Sequence, residues 1–344
     1  MFQPWGKDDI DMSQAADFGL TLTQHVMANQ GSHPDARGQL SALLTQIGVA
    51  GKLISAQVRR AGLIELWGAT GDTNVQGERV QKLDQIANDT LVEVLTRSGC
   101  VAAMASEEED SFIEVPSEQA GDYIVVFDPL DGSSNSDVSV SIGTIFGIYR
   151  RRADEEISLT CILQPGRKLV AAGYIVYGSS TVLVYSAGES VDCFTLDPSS
   201  GEFFQTRANV RMPDETTMLS INECNAPYWP SWVRPTLDTL KARNTQDARI
   251  MSSRHIGSLV VDFHRNLVKG GLYLYPVDSR TGRGKLRLIY ECNPLAYLAE
   301  IAGGAAMVDG QRILDLQPTS LHQRVGLAIG PRSDVEMIDR LSRK

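Results

Sequence analysis

Along the N-terminal half of the chain, apolar residues recur twice at the spacing of one helix face. From Gln39, the positions Leu40, Leu43, Leu44, Ile47, Leu53, Ile54 and Val58 predict a helix that closes on Arg59 and Arg60, with Gly62 beyond. Val80, Leu83, Ile86, Leu91, Val94 and Leu95 predict a second helix, stopped at Gly99. The pattern then changes period. CVAAMAS predicts a short strand running into the acids 107–110, and YIVVF predicts the next strand. VSVSIGTIFGIYRR and LVAAGYIVYGSSTVLVYSAG predict long strands with glycine interruptions, and VDCFTLDPSSGEFFQT a hairpin. Residues 206–216 are polar and mark a domain boundary. Beyond it, residues 232–240 and 259–268 read as helices and GGLYLYPV as a strand. KLRLIYECNPLAYLAEIAGG reads as a strand entering a helix, with Asn293 as N-cap, Pro294 at the first helical position and Gly303 as the stop. Two polar stretches carry no pattern: residues 1–36, an irregular arm, and residues 67–78 (WGATGDTNVQGE), a mobile loop. Helices and strands interleave throughout, so the class is α/β or layered α+β. The division expected is an arm over 1–36, one domain over 37–210 and a second over 211–344.

Size and composition narrow the function. At 344 residues the chain is too long for one ordinary core and implies two domains or one large layered unit. Its apolar fraction of 42% and charged fraction of 22% are those of a globular protein. A net charge of −10 argues against a nucleic-acid or membrane-surface binder, which needs a basic face, yet permits an acidic pocket for cations. The five cysteines are scattered, with no C-x-x-C pair, which points to free thiols in a reducing compartment. The first residues carry early charges without an apolar leader, and no segment has the length of a membrane span. The cytoplasm is therefore the expected location.

Candidate chemistry lies at the ends of the predicted elements. Glu107, Glu108 and Glu109 follow one strand, Asp128 and Asp131 end another, and Glu291 stands between a strand and a helix. Glu78 and Asp84 lie near a helix start. Strand-end acids often do no more than face water, and Glu109 and Asp110 read that way. The pair in DPLDGSS fits that explanation less well, because a proline stiffens the turn between the two aspartates. Two unit charges 4 Å apart repel by about 4 kcal/mol at an effective dielectric of 20, so clustered carboxylates imply a cation among them. With no paired Cys/His ligands beside them, hard oxygen donors indicate Mg²⁺ or Mn²⁺. The turn that follows, Gly132-Ser133-Ser134-Asn135, can present successive N–H groups as an anion nest. Carboxylates and an anion nest in one loop suit a phosphate held against metals, hence phosphoryl transfer to water, with a non-ligating carboxylate taking the proton.

DPLDGSSN resembles the signature of the Mg²⁺-dependent, lithium-sensitive phosphatase superfamily, which includes inositol monophosphatases. DTNVQGE, KLD, SEEE, SIGTIFGIYRR, LQPG, VAAGY, YGSST, SINE, GKLRLIYECNP and LHQR follow in order over about residues 36–330 and resemble class I fructose-1,6-bisphosphatase. The resemblance implies a layered α-β-α-β-α sugar-phosphatase fold with mixed sheets. The implied activity is release of the 1-phosphate of fructose 1,6-bisphosphate, in gluconeogenesis or the Calvin cycle. It also implies two to three Mg²⁺ ions (Mn²⁺ as substitute) among Glu107, Asp128, the Leu130 carbonyl, Asp131 and Glu291. Asp84 and Glu108 match residues that polarise the attacking water, and Asn74 and Glu78 a loop that closes over the metals. Asp131, Gly132, Ser133 and Ser134 match binders of the departing phosphate. Asn222, His255, Tyr273, Leu274, Tyr275 and Lys285 match the sugar and second-phosphate pocket, with Arg254 donated by a neighbouring subunit. A homo-oligomer, typically a tetramer, follows, with no nucleic-acid or membrane partner.

Departures from the resemblance keep alternatives open. His255 stands where the family usually has tyrosine, and NECNA places Cys224 and Asn225 where many members have Gly-Tyr. The second-phosphate pocket is thus expected to be altered but working, looser or broader in sugar choice, and sedoheptulose 1,7-bisphosphate is an alternative substrate, with inositol phosphate behind it. A silent sugar-phosphate sensor of the same fold is the alternative of another class, against which every matched carboxylate is present. In AMP-inhibited relatives a Lys-Tyr pair precedes the DPLDG strand. Here the pair is Asp122-Tyr123, with Arg150 retained, so weak or absent AMP inhibition is expected. No cysteine-bearing loop of the redox-regulated kind is inserted. Asp131→Ala is expected to abolish turnover and spare the fold, as a solvent-facing ligand should.

Overall fold

A computed structural model describes residues 19–30, 38–63, 69–73, 79–152, 156–246 and 251–343. Two mixed sheets dominate it. The larger has eight strands, in the order 202–207, 192–197, 181–186, 169–177, 142–150, 123–131, 101–106 and 113–114. It is antiparallel except where Val101–Ser106 runs parallel to Tyr123–Asp131. The smaller has six short strands, 252–253, 218–220, 272–275, 327–330, 305–308 and 311–312, parallel over the first three and antiparallel after.

The central strands are apolar on both faces, because both faces are covered. In Tyr123–Asp131, Val125 and Phe127 enter the core under the N-terminal helices, while Ile124 and Val126 enter a cluster on the opposite side. The helices Gln39–Arg60 and Lys82–Thr96 lay Leu43, Ile47, Ile54, Leu83, Leu91 and Leu95 against the first face. Helices Leu259–Lys269 and Asn293–Ile301 fill the space between the sheets, with Phe263 and Leu295 packed among Ile145 and Tyr174 of one sheet and Tyr273 and Ile329 of the other. Val233–Gln246 and Arg332–Ser342 cover the far face of the small sheet through Val233, Leu237, Val335 and Ile338. The layers are therefore α-β-α-β-α. Each such side chain, fully buried, contributes about 1.5–3 kcal/mol of apolar transfer.

The Gln39 helix ends at Arg60 as its pattern predicts, and the second helix ends at Thr96, with Gly99 in the left-handed region (φ 67°). Three expectations need correction. The arm over 1–36 contains a helix, Leu22–Gln30. Only Leu22 and Val26 signal it in sequence. Packing supplies the rest, burying both in the main core while His25 Nδ1 meets Tyr185 Oη at 2.9 Å. Within the loop expected over 67–78, Ala69–Thr73 forms a strand paired with Arg79–Gln81. Asn293 is not an N-cap, because the chain is already helical before it. A π-helical turn spans Leu288–Cys292, Cys292 has φ −69°, and Asn293 is fully buried. Pro294 thus follows the π turn, where a missing backbone N–H costs little.

Candidate active site

The two aspartates of DPLD are three positions apart, which in a regular strand would aim them at opposite faces. The structure shows how they come together. The strand does not end at Phe127 but continues to Asp131, and its register against the neighbouring strand shifts, with Asp128 opposite Ile145 and Asp131 opposite Gly143. Three steps on one strand match two on the other, which is a β-bulge. Its backbone groups are satisfied: Leu130 N donates to Asp128 Oδ1 at 3.0 Å, and Thr144 Oγ1 donates to the Pro129 carbonyl at 2.8 Å. Glu291, carried on the π turn, joins them. Carboxylate oxygens of Asp128, Asp131 and Glu291 lie within 4.8 Å of one another, and all three residues are buried.

The structure surrounds each acid differently. Asp131 Oδ2 accepts from Ser258 Oγ at 2.6 Å and from the backbone N–H of Val260 at 2.8 Å, in the first turn of the Leu259–Lys269 helix. Burial drives its pKa up and these donors pull it back, leaving it at about 6. Asp131 is therefore no solvent-facing ligand, as the sequence suggested, but ties the bulge to a helix of the next layer. Glu291 Oε2 accepts from the Arg287 N–H at 2.5 Å, yet burial and then the charge of Glu107 raise it to about 8. Asp128 is pushed well above the usual carboxylate range by burial and then by Glu107 and Asp131. Glu107, at the end of the 101–106 strand, pairs with Arg287 Nη2 at 2.5 Å. Arg287 is the neighbour that sequence reasoning missed. Its signal was a lone cation in the apolar run LRLIYEC, four residues before Glu291. Ser258 gave no comparable signal.

Asp84 stands beside this group, in the first turn of its helix, where Gln81 N donates to its Oδ2 at 3.1 Å. Burial, followed by the charge of Glu108, raises its pKa to about 8, while a hydrogen bond with Ser133 acts the other way. Ser133 links Asp84 to the turn that follows Asp131. Gly132 sits at φ 78°, and a Cβ there would stand 2.5 Å from that of Ser258, so a larger residue is excluded twice over. Beyond it, Ser133–Val138 winds into a 3₁₀ turn closed by Asn135 N to Gly132 O at 2.8 Å. Glu109, read as water-facing, accepts from Asn88 Nδ2 at 2.8 Å. Asn74 and Glu78 lie outside the described residues.

The second cluster also converges, in part. Asn222, Leu274, Tyr275 and Lys285 line one cleft of about 280 Å³, with Asn225 on its wall. Arg254 and His255 do not line it. Arg254 is exposed and donates to the Ser253 carbonyl at 3.1 Å. His255 Nδ1 lies 3.6 Å from the fully buried Asp262, which also accepts from the backbone N–H of Ile256 and from Arg265. Tyr273 is buried beside His255, ring centroids 6.4 Å apart.

Comparison with known proteins accounts for nearly the whole chain. Residues 20–208 match the family model "Fructose-1-6-bisphosphatase, N-terminal domain" and residues 212–343 the model "Fructose-1-6-bisphosphatase, C-terminal domain". The class 1 fructose-1,6-bisphosphatase of Maridesulfovibrio salexigens is 47% identical over 328 residues, covering 94% of this chain and 97% of the relative. That of Sorangium cellulosum is also 47% identical over 328 residues, covering 94% of each. Among solved structures, Leishmania major fructose-1,6-bisphosphatase in holo form superposes with a TM-score of 0.89 at 39% identity, over 95% of this chain and 99% of that one. The T-state of the same enzyme gives 0.84 at 38% identity, with the same coverage. The chain belongs to the class 1 fructose-1,6-bisphosphatase family.

Proposed function

We propose that the protein hydrolyses fructose 1,6-bisphosphate to fructose 6-phosphate and phosphate. The carrying observation is the buried cluster of Asp128, Asp131 and Glu291 placed directly against the Gly132–Ser134 turn. The donor set fits divalent cations: its atoms are all hard carboxylate oxygens, close-set and buried, and burial, followed by the charge of Glu107, raises the pKa values of Asp128 and Glu291. We assign Asp128, Asp131 and Glu291 as ligands, with Glu107 and the Leu130 carbonyl completing the set for two to three Mg²⁺ ions. Bound there, these ions would neutralise the phosphoryl oxygens and make water more acidic. Gly132, Ser133 and Ser134 hold the phosphate through N–H and hydroxyl donors. Asp84 and Glu108 orient water and accept its proton. An Asp84 pKa of about 8 suits a group that must hold and release a proton near neutral pH.

The cleft of Asn222, Tyr275 and Lys285 receives the second phosphate. Arg254 is exposed and does not line its own cleft, which supports donation to a neighbouring subunit and hence a homo-oligomer, a tetramer by family resemblance. Among the described residues no helix is long and apolar enough to cross a membrane, and we place the protein in the cytoplasm. The test is phosphate release from fructose 1,6-bisphosphate with Mg²⁺, with and without chelator. Chelator-sensitive release is expected, and its absence would favour the silent sensor. Sedoheptulose bisphosphate stays a second substrate to be assayed alongside, because Asn225 lines the cleft.

A further inference from the structure

The cleft lined by Asn222 and Lys285 has a charge unlike that of the chain around it. In a protein of net charge −10, its lining carries four cations, Arg280, Arg283, Lys285 and Arg324, against one carboxylate, Asp278. That carboxylate is already engaged. Asp278 accepts from the Arg280 backbone N–H at 2.8 Å and holds the Arg280 guanidinium through Nε at 3.0 and 3.1 Å and Nη2 at 2.5 Å. The same guanidinium lies over the Tyr228 ring, 3.6 Å from its centroid. Arg280 is thus spent on building the wall, and its partner is screened from an incoming anion.

Arg283 is placed differently. The hairpin that carries it is fixed at the cleft edge. Asp278 N donates to the Arg283 carbonyl at 3.1 Å, Arg283 N donates to Thr281 Oγ1 at 3.2 Å, and Ser279 N donates to the Tyr228 carbonyl at 2.9 Å, pinning hairpin to wall. Gly282 at φ 63° makes the tight turn, and Gly284 packs so closely on Val325 that a Cβ would lie 1.8 Å from its carbonyl carbon. The backbone of Arg283 is therefore held while its side chain is exposed along the cleft, two positions from Lys285. A planar guanidinium beside an ammonium suits a phosphate dianion, which accepts a bidentate pair from one and a point contact from the other.

We propose that Arg283 is a specificity-determining ligand of the distal phosphate, acting with Lys285. This rests on the sugar-bisphosphate reading above. Arg283→Gln is expected to raise the KM for fructose 1,6-bisphosphate about tenfold, the size of one charge-assisted hydrogen bond, with kcat within about twofold. Hydrolysis of fructose 1-phosphate, which lacks the distal phosphate, should be unchanged by the substitution. Arg283→Lys should recover part of the loss. Calorimetric binding of fructose 6-phosphate decides the matter without turnover, again with about tenfold weakening in Arg283→Gln. Equal KM and equal product affinity in variant and wild type, both melting alike, would overturn the proposal. Wild-type protein that binds the product but does not turn over substrate would defeat the catalytic reading alone, and Arg283 would still be judged by the binding comparison. Wild-type protein that binds no sugar phosphate would overturn both.

Discussion

Stripped of divalent cations, the protein should become less stable as pH rises through the neutral range. Asp84 and Glu291 each have a pKa of about 8 in the folded chain, raised first by burial and then by neighbouring carboxylates. Unfolded, they titrate near 4. Between those values the folded state binds the extra protons, so stability is present at low pH and is lost as pH climbs toward the folded value. From about pH 6 to about pH 8, Asp84 alone removes about 2 kcal/mol, and Glu291 removes a similar amount. At about 2.1 cal/mol/K of unfolding entropy per residue, a 344-residue chain responds with a fall in melting temperature of roughly 6 °C. The assay is differential scanning fluorimetry in chelator across that range. Asp84→Asn should halve the slope. Saturating Mg²⁺ should raise the melting temperature more at the high end than at the low end, because ligands already deprotonated cost the ion no protons to displace. A melting temperature in chelator that stays flat or rises with pH would refute the reasoning, since it would mean the carboxylates are not raised.

Four further outcomes follow from particular contacts. Arg287→Met leaves Glu107 buried without its 2.5 Å partner and should cost about 3–5 kcal/mol in urea denaturation; an unmoved midpoint would show the pair to be dispensable. Asp131→Asn can still accept from Ser258 and Val260, so it should keep its circular dichroism while kcat falls on the order of a hundredfold or more; near-normal kcat would displace Asp131 from the site. His255 does not line the cleft itself but lies beside Tyr273, whose ring stacks on the cleft residue Tyr275, so His255→Tyr should raise the kcat/KM ratio of fructose over sedoheptulose bisphosphate through that contact; a ratio already large and unmoved would remove that idea. AMP should inhibit weakly, because Asp122 shares a cavity of about 450 Å³ with Tyr123 and Arg150 and repels a nucleotide phosphate; half-inhibition at low micromolar AMP would contradict this.

What the sequence conveyed, and what it withheld, divide along a physical line. The helices at Gln39–Arg60 and Lys82–Thr96 were legible because their burial is one-sided and repeats over several turns. The Leu22–Gln30 helix was not, because the two apolar residues it buries, Leu22 and Val26, are too few to set a period and its stability comes from the core it packs on. At the site, the residue types were legible and their arrangement was not. Asp128 and Asp131 announce a cation only if they point the same way, and a regular strand would forbid it. The extra residue of the bulge, satisfied by Thr144 from the next strand, reverses that, and nothing in DPLD alone specifies it. Glu291 follows the same rule, since it reaches the cluster from a π turn that displaces the expected Asn293 cap. Both departures from regular structure fall at the carboxylates, where local backbone preference yields to the placement of charge. Arg287 and Ser258 completed the site unseen because each acts on its partner across the fold, 180 residues from Glu107 in one case and 127 from Asp131 in the other. Spacing along a chain carries no trace of such contacts, whereas packing of one layer on the next decides them.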